Sequence, residues 1–206
     1  MNKAVFLDLN GTLVLPFRQE LLSEMTLIPG ADLAVAKLLA AGFFCPVVTI
    51  QSGIGKGRFT ENEFRDWFAT FFQEWQLDVK GPYICPHRFA TACICKKPNP
   101  FLYAQAARDY DIDLSRSYVI GDTAWDVLAG KNMGGRGCLV STGGALGETE
   151  YQKAKPDAAF IGQTLGEVVQ WIIEDSRKSF SANKVLNKSP SHSLHGAFNL
   201  NLITKW

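Results

Sequence analysis

The stretch that decides the fold is Val5–Val14, VFLDLNGTLV. An apolar run ends in Asp8, and Leu9-Asn10-Gly11-Thr12 follow at once. A continuous apolar run closed by turn residues suits a strand covered on both faces. Such a strand carries a carboxylate to its tip, where burying the charge is costly unless something compensates it. An amide then sits two residues later.

The surrounding composition is that of an ordinary globule. The chain has 206 residues, 47% hydrophobic and 20% charged, with a net charge of +1. That length supports one well-buried domain and a short appendage. The near-neutral balance gives no electrostatic case for nucleic acid or an anionic membrane as partner. No apolar run approaches the roughly 20 residues of a membrane span. Asp8 interrupts what a signal peptide would need as its apolar core. The expectation is a cytoplasmic monomer whose five cysteines are reduced, so their spacing is read first for metal or catalysis.

Working outward from Val5–Val14, apolar runs alternate with helical patterns. Strands are expected at Lys3–Leu9, Phe43–Ile50, Tyr83–Cys85, Tyr118–Gly121, Gly137–Val140 and Ala158–Ile161, with Pro46 delaying or distorting the second. Helices are expected at Ala31–Ala41, from Thr60 to about Gln76, and at Pro100–Tyr110, Ala124–Met133 and Leu165–Arg177. Gly42 closes the first helix, and Thr60 with Glu63 forms a capping box at the start of the second. Phe64, Trp67, Phe68, Phe71, Phe72 and Trp75 recur there at helical spacing, as a core stripe does. Strand–helix alternation predicts an α/β fold, a doubly wound parallel sheet covered on both faces. After Lys178 the periodicity stops, so residues 1–178 are read as the domain and 179–206 as a poorly ordered tail. The tail's His192 and His195 are read as solvated.

In a doubly wound sheet, ligands bind beyond the carboxyl ends of the strands. Three expected strands end in polar residues there: Asp8, Thr49 and Asp122. Lys96-Lys97-Pro98 opens the helix between the second and third. Two carboxylates can hold Mg²⁺, while lysine and threonine can neutralise and hydrogen-bond phosphoryl oxygens. Asp8 can also act as a nucleophile. Together these residues suit phosphoryl transfer.

Asp8-Leu9-Asn10-Gly11-Thr12, Thr49, Lys97, and Gly121-Asp122 with Asp126 resemble the four motifs of the haloacid dehalogenase superfamily of phosphatases. The segment Val47-Val48-Thr49-Ile50-Gln51-Ser52-Gly53-Ile54, followed by Gly57-Arg58-Phe59-Thr60, resembles its capless branch, which contains heptose 1,7-bisphosphate phosphatase and the histidinol-phosphate phosphatase domain. The resemblance covers residues 3 to 175. It implies a Rossmann-like sheet without a large cap. It implies that Asp8 is the nucleophile and, with Asp122 and the carbonyls of Asn10 and Thr123, holds Mg²⁺. Thr49 and Lys97 would steady the phosphoryl group, with Asp126 orienting Lys97. Ile50, Gln51, Ser52, Lys96 and Lys97 would line the substrate site, Lys96 taking the place of an arginine.

Cys85, His87, Cys93 and Cys95 supply three thiolates and an imidazole within eleven residues, a set suited to a closed structural Zn²⁺ site. Cys45 and Cys138 lie in strands and read as core. Two departures from the family bear on function. Asn10 stands where the family has a proton-shuttling aspartate, and a carboxamide cannot titrate in the useful range. Ile50 stands where the family typically has asparagine. The leading expectation is a Mg²⁺-dependent phosphatase of a small phosphorylated metabolite such as a sugar phosphate or bisphosphate, slowed by Asn10. The alternative is a catalytically impaired, zinc-stabilised phosphate-binding or regulatory module.

Overall fold

The computed structural model describes residues 1–16, 21–141 and 148–186. Its main sheet has six strands: β1 (Val5–Leu7), β4 (Pro46–Ile50), β5 (Lys80–Cys85), β6 (Tyr118–Gly121), β7 (Arg136–Val140) and β8 (Phe160–Gly162). They are ordered β5-β4-β1-β6-β7-β8, and every neighbouring pair is parallel. The order reverses at β1: the chain runs outward on one side through β4 and β5, then returns to β6 on the other. That reversal leaves a crevice at the carboxyl ends of β4, β1 and β6.

The period-two alternation of β1 splits the core. Val5 and Leu7 pack on one face with Val35, Leu38, Phe64, Phe68 and Ile172. Ala4 and Phe6 pack on the other with Val48, Leu102, Tyr103 and Val119. The first face is covered by α1 (Ala31–Ala40), α3 (Glu61–Glu74) and α7 (Leu165–Leu186), the second by α4 (Phe101–Tyr110). Helices α5 (Ala124–Asn132) and α6 (Glu148–Ala154) lie beside β7, where Ala124, Val127, Leu139 and Ala154 form a small cluster.

The expected elements occur with ends shifted by a few residues. Pro46 is retained in β4, and the cost is a register shift against β5 between Pro46 and Val48. The capping box forms: Glu63 N–H donates to Thr60 Oγ1 at 3.2 Å, and Thr60 N–H to Glu63 Oε2 at 2.6 Å. In the aromatic stripe Phe64, Phe68 and Phe72 are buried, but Trp75 is 45% exposed, because the helix ends at Glu74 and Trp75 is its cap. The helix begun at Leu165 continues to Leu186, past Arg177 where the apolar period ends. Residues 187–206, with His192 and His195, lie outside the described residues. Cys45 and Cys138 are fully buried core residues.

Several small elements, α6 among them, were not legible in the sequence. An antiparallel pair, β2 (Val14–Leu15) with β3 (Thr26–Leu27), follows directly on Asn10. A four-residue helix, α2 (Ser52–Gly55), follows β4. The link between β2 and β3 is residues 16–25, too short for a cap domain. Among the described residues, no helix is long and apolar enough to cross a membrane.

Candidate active site

Asp8 follows β1, Thr49 lies near the end of β4, and Asp122 follows β6. Pairing of Leu7 with Ile120 and Val47, plus the hydrogen bond from Asp8 N–H to the Ile120 carbonyl at 2.9 Å, brings these ends together. Gly11 turns the chain away immediately afterwards with φ of 87°, a left-handed conformation that favours glycine.

Lys97 reaches this edge from the segment that leads into α4. Its Nζ donates to Asp8 Oδ1 at 2.6 Å and to Asp126 Oδ1 at 2.7 Å, with all three side chains buried. Asp126 is held in turn by Thr123, whose Oγ1 donates to Asp126 Oδ2 at 2.6 Å. This capping box at the start of α5 fixes the carboxylate that fixes the lysine. It also explains Gly121: a Cβ there would lie 2.0 Å from Asp126 Cγ, so the Asp126 side chain occupies the space any larger residue would need.

The charges are unevenly balanced. Burial works against the Lys97 ammonium, yet Asp126 and Asp8 hold its pKa well above the ordinary value. Burial pushes Asp8 up to about 6, with Lys97 opposing. Asp122 is pushed up to about 8 by burial and by the nearby Asp8 and Asp126 carboxylates. Three acidic groups and one lysine leave an excess of negative charge in a dry crevice, and a divalent cation would answer it. The donor set therefore fits Mg²⁺, a hard cation that takes carboxylate and carbonyl oxygens.

The Thr123 carbonyl, expected among the metal ligands, accepts the Asp126 N–H at 3.1 Å in the first turn of α5, which leaves its second lone pair for a cation. Lys96, expected at the substrate, has its ammonium bound by the cysteine-bearing loop. Its Nζ donates to the carbonyls of Phe89, Thr91 at 2.6 Å and Arg88 at 3.2 Å. Ile50 packs partly buried beside Tyr83, Cys85 and Cys93. Ser52 opens α2.

Asn10 is held by both ends of its amide. Its Oδ1 accepts from Gln51 Nε2 at 2.8 Å, and its Nδ2 donates to the Pro16 carbonyl at 3.1 Å. Gln51 is buried and also donates to Thr49 Oγ1 at 2.8 Å, so a polar chain links the second motif to Asn10. Gln51, expected to line the substrate site, is a strut between Asn10 and Thr49. Tyr103 lies beside this site as well. Its hydroxyl is buried without a protein partner close to the Lys97 network, and an aromatic stripe position in a helix carries no signal of that.

The second cluster lies beside the first. Cys85 ends β5, and the ligand atoms of Cys85, His87, Cys93 and Cys95 all lie within 4.8 Å of one another. Cys85 Sγ is 3.6 Å from Cys93 Sγ, and Cys95 Sγ is 3.2 Å from His87 Nδ1. Ligand bonds of about 2.3 Å to sulfur at tetrahedral angles separate two sulfurs by about 3.8 Å, so the geometry fits zinc. Burial pushes the Cys85 thiol up to about 12, so its ionisation calls for a cation.

The family model described as HAD-hydrolase-like matches residues 94–168. The D-glycero-β-D-manno-heptose-1,7-bisphosphate 7-phosphatase of Pasteurella multocida is 34% identical over 166 residues, covering 75% of this chain and 90% of its own. The enzyme of the same name from Escherichia coli strain K12 is 36% identical over 155 residues, covering 68% of this chain and 80% of its own. Among solved structures, D,D-heptose 1,7-bisphosphate phosphatase from B. bronchiseptica, complexed with magnesium and phosphate, superposes with a TM-score of 0.73. It is 27% identical and covers 84% of this chain and 99% of its own. With the parallel sheet and the edge residues above, the conclusion is that the chain belongs to the heptose 1,7-bisphosphate phosphatase family of haloacid dehalogenase-like hydrolases.

Proposed function

We propose that this chain is a Mg²⁺-dependent phosphatase that cleaves a small phosphorylated metabolite, of the sugar phosphate kind, through an aspartyl-phosphate on Asp8. The observation that carries the reading is the buried Asp8–Lys97–Asp126 array beside Asp122 and Thr49 at one sheet edge. Mg²⁺, held by the Asp8 and Asp122 carboxylates and the Asn10 carbonyl, would supply neutralisation of the phosphoryl charge.

The chain's own residues account for the rest. Lys97, kept charged by its two carboxylates, neutralises a phosphoryl oxygen, and Thr49 offers a hydroxyl to another. The Asp8 carboxylate attacks phosphorus while the ester oxygen departs with its bonding pair. Water then attacks the aspartyl-phosphate, releasing phosphate and restoring Asp8. Asn10 can neither protonate the departing oxygen nor deprotonate the water. Good leaving groups suffer least from the first loss, whereas water gains nothing, so hydrolysis of the aspartyl-phosphate is the slow step. We further propose that Cys85, His87, Cys93 and Cys95 hold one structural Zn²⁺, and that residues 1–178 act as a single catalytic unit.

The fixed Asn10 amide favours a second reading, a phosphate-binding module with little turnover, because both of its polar ends are already engaged. Quench-flow with p-nitrophenyl phosphate and Mg²⁺ separates the two. The phosphatase shows a burst of nitrophenolate followed by slow release of phosphate. Binding of phosphate without either phase would establish the module instead.

A further inference from the structure

The loop that carries the cysteines also reaches across the active-site edge. From the end of β5 it touches α2, where Arg88 Nε donates to the Gly55 carbonyl at 2.8 Å. It then meets the first turn of α5, where the Phe89 ring lies 5.6 Å from the Trp125 ring at an interplanar angle of 37°. Since β4 and β1 lie between β5 and β6, this contact bridges the edge that holds Thr49 and Asp8. Trp125 is only three residues beyond Asp122. The pair is not core: Phe89 is 66% exposed and Trp125 39% exposed. Large aromatic faces left open at a crevice mouth are unfavourable in water and available to a ligand.

The same loop engages the Lys96 ammonium. The Lys96 Nζ donates to three loop carbonyls, and it lies 5.5 Å from the Phe89 ring centroid. Lys96 thus props Phe89 in place. Ile50, on the β4 side, offers no polar group.

We propose that Phe89 and Trp125 form a stacking wall for the body of the substrate, so that the preferred substrate is a monophosphate whose alcohol half presents a flat, weakly polar ring face, rather than a bisphosphate. The inference rests on the phosphoryl site proposed above and deepens it. Phosphate binding is assigned to the Lys97 network, and ring selection to the aromatic pair. An aromatic platform of this type is worth about tenfold or more in affinity per stacked ring.

Calorimetry with non-hydrolysable probes and Mg²⁺ tests this without depending on turnover. Benzylphosphonate should bind the full-length protein about tenfold more tightly than n-butylphosphonate. Trp125→Ala and Phe89→Ala should each remove most of that preference while leaving n-butylphosphonate affinity and zinc content unchanged. Trp125→Leu serves if the alanine variant folds poorly. Butane-1,4-bisphosphonate should bind no better than n-butylphosphonate, with Lys96→Gln leaving their ratio unchanged. Equal affinity for the ring and chain probes in the parent protein overturns the stacking wall alone. So does a ring preference that survives both aromatic substitutions. A bisphosphonate advantage lost in Lys96→Gln overturns the monophosphate assignment. Failure of n-butylphosphonate to bind at all overturns the phosphoryl site itself, and the wall with it.

Discussion

Two polar centres lie side by side at the carboxyl edge of this sheet, and they are built in opposite ways. The carboxylate centre draws Asp8, Thr49, Lys97, Asp122 and Asp126 from widely separated parts of the chain. The sulfur centre draws its four residues from a single segment, Cys85 to Cys95. The first has its own cation, Lys97, and a parallel sheet to hold it, so its geometry stands without added metal. The second has no cation of its own, and its loop includes exposed Phe89 and Ile94 rather than a packed interior. One centre is shaped by the fold; the other, under the zinc assignment proposed above, would be shaped by its metal.

The comparison is broken most severely at Asp8. Asp8→Asn should abolish phosphate release and covalent labelling by beryllofluoride, because the nucleophile is gone. Zinc content should not change, as the sulfur loop takes no support from that carboxylate. Labelling of the variant at the parental level would put the nucleophile elsewhere.

Next in size is Asn10→Asp. Restoring a positioned acid–base group should raise steady-state phosphate release by about 10²-fold or more and shrink the burst. The Pro16 carbonyl, which accepts from the amide N–H today, would face a carboxyl oxygen and favour its protonated form. That is the form needed to protonate a leaving group. Unchanged turnover would mean that another residue shuttles the proton or that substrate binds unproductively.

Cys93→Ser should break the other centre. Elemental analysis of the parent, purified without added metal, should find about one zinc per chain, and the variant should find none. Since binding free energy at such a site is also folding free energy, a loss of about 3 kcal/mol is expected. In a chain of this size that lowers Tm by about 6–12 °C. A zinc-free variant with the parental Tm would show the loop standing without metal.

The smallest effect is graded by pH and sharpens the electrostatic side of the contrast. Asp8 and Asp122 are raised to about 6 and about 8 without metal, so the folded, metal-free protein holds protons that the unfolded chain has released. Its stability should therefore decline as pH rises from about 4 towards 8. Mg²⁺ must displace these protons, so its affinity should rise about tenfold per pH unit between 6 and 8, then level off. Thermal scans with and without Mg²⁺ at pH 5.5, 7 and 8.5 check both trends. A Mg²⁺ stabilisation that is flat over this range would contradict the crowding of charge at Asp122.

Much of this molecule is written locally. Apolar runs of the β1 type, the Thr60–Glu63 capping box and the close-set Cys/His ligands are each set by neighbours in sequence, where backbone periodicity and ligand spacing speak directly. The motif residues Asp8, Thr49, Lys97 and Asp122 were legible because strand ends in a parallel sheet converge whatever lies between them. The sequence could not say what each polar side chain touches once there. That Lys96 turns into the loop carbonyls, that Gln51 braces Asn10, that Asp126 locks to Thr123, and that Phe89 meets Trp125 across two strands are all outcomes of packing. Each depends on distances between segments far apart in the chain, and only the closed sheet sets those distances.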